Sequence, residues 1–164
     1  ANLMKHLLLP ALLLTTTCTF AQSTAEELAA SATTDLARLN EHFAGAVKFR
    51  VDKHQRLVAD YMNGGSVYRT DIAHFDFLDA GTCAFDQEEK LLVIQCQDPR
   101  SKCIDKEVRK TGTVSPTGRM NLPLPAHDPT GTKARELLVK LVETKQNEEL
   151  TRLAETNTRT ERSK

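Results

Sequence analysis

Between Val47 and Val51, hydrophobic residues alternate with charged ones. Val47, Phe49 and Val51 take one side of an extended chain, and Lys48 and Arg50 take the other. A period of two marks a half-buried strand. The same pattern predicts strands in LVADYM (57–62) and SVYRTDI (66–72). Asn63-Gly64-Gly65 joins them, because glycine tolerates the positive φ of a tight hairpin turn. TCAFD (82–86) and LLVIQC (91–96) read as a fourth and fifth strand around a tight acidic turn, and CIDKEV (103–108) as a sixth. FDFLD (75–79) is ambiguous, and RKTGTVSPTG (109–118) reads as a polar loop. In RMNLPLP (119–125), Pro123 and Pro125 remove N–H donors from one side of the chain only. That predicts a strand at the edge or the end of a sheet.

Two stretches carry the longer, helical period. Residues 24–43 are rich in Ala, Glu and Leu, and Leu28, Leu36, Leu39 and Phe43 form a stripe. Thr24 and Glu27 have the spacing of a capping box. After the strands, Asp128-Pro129 predicts a helix start, with Asp as N-cap and Pro in the first turn. Ala134, Leu137, Leu138, Leu141 and Val142 follow at helical spacing as a core-facing stripe, while Lys133, Glu136, Lys140 and Glu143 point outward. Leu150 and Leu153 extend the stripe, and the polar tail from Thr156 is expected to fray. The predicted fold class is α+β: a curved antiparallel sheet or small barrel of about six to seven strands with a helix at each end. The main domain spans 44–145, followed by a helical extension and polar tail at 146–164.

Strands that end in a capping helix resemble the pleckstrin-homology-like barrel. The likeness rests on VKFRVD, LVADYMNGGSVYRTDI, LLVIQC, KCI, MNLPLP and ARELLVKLV, across roughly residues 40–145. The chain is also similar to uncharacterised exported bacterial proteins. The resemblance implies a binding or scaffolding module without a cofactor. Domains of this type often bind phosphoinositides through a basic strand-loop. Here the first turn, DKHQR, has only Lys53 and Arg56 as firm positive charges, beside Asp52.

Composition and charge add an address. The 22 basic and 22 acidic residues balance, and there is no Trp among only 5% aromatics. Neither a basic field nor stacking platforms point to nucleic acid. Near the start, Lys5 and His6 precede an apolar run from Leu7 to Leu14. Thr19-Phe20-Ala21 then supplies small residues at a cleavage site. Residues 1–21 therefore read as a secretory signal peptide, too short in its apolar run to span a bilayer. Lipidation at Cys18 is the rival reading, but a lipobox wants an aliphatic residue where Thr15 stands. Export to the periplasm or beyond the cell leaves Cys83, Cys96 and Cys103 where disulfides persist.

A hairpin of 91–96 against 103–108 would set Cys96 opposite Cys103 and predicts a disulfide between them. Pairing of Cys83 with Cys96 is the alternative; otherwise Cys83 packs as a small hydrophobe. Zinc sites space their cysteines more closely or add a histidine pair, and a redox pair takes the form CxxC, so neither is expected. His74 and Asp76 share a strand face and could form a dyad, but no nucleophile motif accompanies them. His42, His54 and His127 are scattered, and the acidic turn at Asp86, Glu88 and Glu89 reads as solvated. The leading expectation is an exported, non-catalytic binding module with no metal or cofactor. An unknown protein or peptide partner could add as a strand along 119–125; the alternative reading is that its prolines merely blunt that edge against aggregation. A small hydrolase using His74 and Asp76, and a lipocalin-like carrier with an apolar cavity, are the alternatives.

Overall fold

The computed structural model describes residues 23–162, so the predicted signal peptide lies outside the described residues. Helix α1 (Ala25–His42) opens on the predicted capping box. Thr24 Oγ1 accepts the Glu27 N–H, and the Glu27 carboxylate accepts the Thr24 N–H. Eight strands follow: β1 (Val47–Val51), β2 (Arg56–Asn63), β3 (Ser66–His74), β4 (Leu78–Asp86), β5 (Leu91–Cys96), β6 (Ile104–Val108), β7 (Thr113–Thr117) and β8 (Arg119–Pro123). Helix α2 (Thr132–Arg162) ends the described chain. The class is α+β with antiparallel pairing throughout, as hairpin turns at short spacing predict.

The strands divide into two sheets, ordered β1-β2-β3-β6-β7 and β4-β5-β8. The extra strand is β7, inside the segment expected to be a polar loop. None of its residues is buried, so it has no hydrophobic face for alternation to reveal. The expected hairpin of 91–96 with 103–108 does not form. β5 pairs with β4 and β8, whereas β6 pairs with β3 and β7. The loop between them carries the chain from one sheet to the other.

Two further passages between the sheets lie beside that loop. β3 leads to β4 through a short 3-10 turn at Phe75–Phe77, and β7 leads to β8 through Gly118. The Gln97 N–H donates to Phe77 O, and the Cys96 N–H donates to Gly118 O. All three passages therefore meet at one corner. There the sulfurs of Cys96 and Cys103 lie 2.10 Å apart, at disulfide distance. Gly118 is required by proximity: a Cβ there would sit 3.0 Å from Ser101 O.

Between the sheets and helices lies one core. Leu57, Tyr61, Leu92, Ile94, Ile104, Met120 and Leu122 fill it from the strands, and Leu138, Leu141 and Val142 from α2. α1 contributes Ala32, Leu39 and, just past its end, Phe43, whose ring meets Phe49 edge-on at 5.2 Å. Asp35 is also buried on this face, a position periodicity assigns to a hydrophobe. Lys140 Nζ donates to it at 2.7 Å, which ties α1 to α2.

Helix α2 departs from expectation at both ends. It starts at Thr132 rather than at Pro129, because Gly131 has φ +67 and cannot be helical. Asp128 still caps it from upstream, accepting the Ala134 N–H at 2.8 Å. At the other end the helix continues to Arg162 instead of fraying from Thr156. Leu150 and Leu153 are exposed there rather than part of the buried stripe, which ends at Lys145.

The staple at the corner gives a prediction from chain entropy. Cys96 and Cys103 are 7 residues apart, and closing so short a loop stabilises a fold by about 2.5 kcal/mol. Urea unfolding of a Cys96→Ser, Cys103→Ser double variant is expected to show that loss. An unchanged midpoint would mean the corner holds without it.

Candidate functional site

Cys96 ends β5 against Leu78 of β4, and Cys103 lies just before β6. Cys83 sits further along β4, buried and unpaired, so the alternative pairing with Cys96 is not formed. Burial pushes its thiol up to about 11, despite the nearby Arg135 charge. A thiol so rarely ionised is a poor nucleophile.

His74 and Asp76 line a common pocket but do not form a dyad. β3 stops at His74, and the 3-10 turn after it breaks the alternation that was to put both on one face. The pocket holds about 160 Å³ and is also bordered by His54, Lys145, Glu148 and Arg152. Its charged side chains are largely paired with each other. Lys145 Nζ donates to Glu148 Oε2 at 2.6 Å and to Gln55 Oε1 at 3.0 Å, and Arg152 pairs with Glu149. No Ser, Thr or Cys lines it, so the hydroxyl or thiol of a nucleophile triad is missing there.

The backbone at the sheet edges is more informative. Two sheets have four edge strands, β1, β7, β4 and β8, and each turns a row of N–H and C=O groups away from its neighbour. At β1 the Asn40 carboxamide acts as a substitute strand. Its Oδ1 accepts the Phe49 N–H at 2.7 Å and its Nδ2 donates to Phe49 O at 2.8 Å. At β4, Arg135 Nε donates to Cys83 O, and Gln146 Nε2 donates to Phe75 O and Leu78 O.

At β8 the partner comes from across the core. Tyr61 Oη and Arg69 Nη2 both reach Asn121 O, at 2.9 and 3.1 Å. Both also contact the fully buried Asp71 carboxylate, at 2.8 Å each, and the Arg69 guanidinium lies over the Tyr61 ring. Burial, reinforced by the Asp71 charge, holds the Tyr61 phenol well above its ordinary value, so it remains a donor. The strand 119–125, read from sequence as a docking edge or a blunted one, is thus engaged at Asn121 O by the protein's own side chains.

β7 differs. The Arg109 N–H donates to Tyr68 O on β3, and Val108 O accepts from the Gly112 N–H in the turn towards β7. Alternation then turns Thr113, Ser115 and Thr117 towards β6, and Val114 and Pro116 outward. Pro116 sits where a missing N–H costs no ladder bond. Among the described residues, no side chain bonds the outward backbone groups of Val114 and Pro116.

The other candidates resolve simply. Asp86 turns back on its own turn, accepting the Glu88 and Glu89 N–H groups. These bonds hold its carboxyl below the usual range, and Glu89 pairs with Arg119. Among the described residues, no group of three or more His, Cys, Asp or Glu could hold a metal, and no helix is long and apolar enough to cross a membrane. His42 and His127, scattered in sequence, meet at Asp128, which sequence reasoning assigned only to capping. Comparison of the chain with protein-family models, curated proteins and solved structures finds no match.

The β8 coverage can be tested by removing one oxygen. Tyr61→Phe leaves Asp71 and Asn121 O with one donor fewer in a buried setting, and is expected to cost about 1–3 kcal/mol in urea unfolding. A neutral result would show that Arg69 alone satisfies both.

Proposed function

We propose that this protein is an exported binding module that takes up an extended polypeptide segment as an added strand along β7. The observation that carries this is the contrast among the edges: side chains of other elements bond outward backbone groups at Phe49 on β1, Cys83 on β4 and Asn121 on β8, and among the described residues none bonds those of Val114 and Pro116 on β7. An extended peptide would close bonds to the Val114 N–H, Val114 C=O and Pro116 C=O. A second copy fits worse. Its β7 lacks the same donor at Pro116, so one outward carbonyl of each strand stays unpaired in either register. The exposed Val114 side chain offers the incoming strand an apolar contact.

Two further observations support binding over the alternatives. The His74–Asp76 pocket has no Ser, Thr or Cys to complete a triad with them. The space between the sheets is filled by Tyr61, Leu92, Ile94, Met120 and Leu122, which argues against a carrier with an internal cavity. Export is part of the proposal. It is supported by the leader-like residues 4–21 and by a cysteine pair at disulfide distance, which persists in oxidising compartments. The pleckstrin-homology-like likeness also belongs here, supported by antiparallel strands followed by a long C-terminal helix.

A phage-displayed random peptide library panned against the protein tests the reading. Val114→Pro removes the outward N–H at an exposed strand position without touching the core. Enriched peptides should bind this variant about tenfold more weakly, the loss expected for one good hydrogen bond. If no peptide is enriched, or if the variant binds equally well, β7 is only an edge blunted by its proline.

A further inference from the structure

The end of α1 and the start of α2 bring three titratable side chains into line. His42 Nε2 lies 3.0 Å from Asp128 Oδ2, and His127 Nε2 lies 3.3 Å from His42 Nδ1. Asp128 is buried, which by itself raises its pKa. The Ala134 N–H and the hydrogen bond from His42 outweigh that, and the carboxyl is held below its usual range. It is therefore an anion and can only accept.

An accepting carboxylate sets the direction of the whole chain. His42 Nε2 must carry the hydrogen it donates to Asp128. In neutral His42 the lone pair is then on Nδ1, so the 3.3 Å contact requires His127 Nε2 to be the donor. The lone pair of His127 is left on Nδ1, and His127 is exposed. Each hydrogen points towards Asp128, and the outermost ring presents a free base.

That base borders an open pocket of about 550 Å³ between the two helices, with Arg38, Glu41, Lys133, Glu136 and Lys140 around it. Lys133 is paired with Glu136, and Lys140 with Asp35. Arg38 lies one turn before His42 on α1 and has no ion-pair partner among the described residues. It is the cation free to hold an anionic group beside His127.

We propose that Asp128, His42 and His127 form a proton relay that presents His127 Nδ1 as a general base for hydrolysis of carboxylic esters bearing an anionic group. In the step, a water oxygen bonds to the ester carbonyl carbon while its proton passes to His127 Nδ1. The adduct then collapses, the bond from carbonyl carbon to alkoxide oxygen breaks, and His127 returns the proton to the leaving alkoxide. Acid and alcohol are the products. His42 and Asp128 are positioning residues: they fix the ring and face the positive charge that forms on it. This goes beyond the binding reading and shares no residue with β7, so either can fail without the other.

The test compares the full chain with variants on mono-p-nitrophenyl succinate and on neutral p-nitrophenyl acetate. The protein should hydrolyse the succinate ester faster than buffer. His127→Gln, at an exposed position, should keep its circular dichroism and lose about 100-fold in rate. Arg38→Gln should raise KM for the succinate ester and leave the acetate ester unchanged. His42→Gln should lower kcat at unchanged KM and displace the pH profile, which a purely structural role would not do. Equal rates for the protein and His127→Gln would overturn the proposal, as would an equal loss in a His54→Gln control. Equal effects of Arg38→Gln on both esters would overturn the assignment of the anion to Arg38.

Discussion

A strand at the edge of a sheet turns half of its backbone polar groups away from any neighbour, and those groups must find partners in protein or water. In this molecule polar side chains of both helices and of the core meet part of that need. Asn40 is placed on α1 so that its carboxamide lies along β1 and exchanges two short bonds with Phe49. Arg135 and Gln146 on α2 do the same for β4 and the turn before it. The two helices thus flank different sheets, and they are tied to each other by Asp35 and Lys140. Even Tyr61 and Arg69, on β2 and β3, are used to cover β8.

The corner of the molecule follows from the same need. A chain that changes sheets must interrupt its ladder, and three interruptions at scattered places would each leave orphaned groups. Here they are gathered, so that the Gln97 and Cys96 amides find the carbonyls of Phe77 and Gly118 on the neighbouring passages. The Cys96–Cys103 pair sits among them and restrains the loop that carries β5 to β6. Side chains of other elements bond outward backbone groups at Phe49 on β1, at Leu78 and Cys83 on β4 and at Asn121 on β8, whereas among the described residues none bonds those of Val114 and Pro116 on β7. The binding reading follows from that remainder rather than from any pocket.

Sequence alone carried the elements that bury one face. The alternation in 47–51, the strands at 57–62 and 91–96, the capping box at Thr24, and the stripe from Ala134 to Val142 all reappear in the structure, although Leu57–Tyr61 and Leu92–Ile94 are buried throughout rather than on one face. What stayed hidden had no periodic trace. β7 buries nothing, so TVSPT looks like a loop. Asp35 stands at a core position with the wrong polarity, and only Lys140, far along the chain, explains it. The cysteine pair was legible from its spacing, but the hairpin used to justify it does not exist; the pair joins two sheets instead. The edge-covering residues Asn40, Arg135 and Gln146 looked like ordinary polar positions on helices. The meeting of His42 with His127 and Asp128 depends on folding and left no local signal.

Amide hydrogen exchange on the isolated protein tests the central claim most directly, by comparing Phe49 on β1 with Val114 on β7. Both N–H groups point away from their sheets, and only Phe49 has a partner, Asn40 Oδ1 at 2.7 Å. The account predicts slow exchange at Phe49 and exchange close to that of an unstructured peptide at Val114. Protection at Val114 equal to that at Phe49 would contradict it, because β7 would then already be covered.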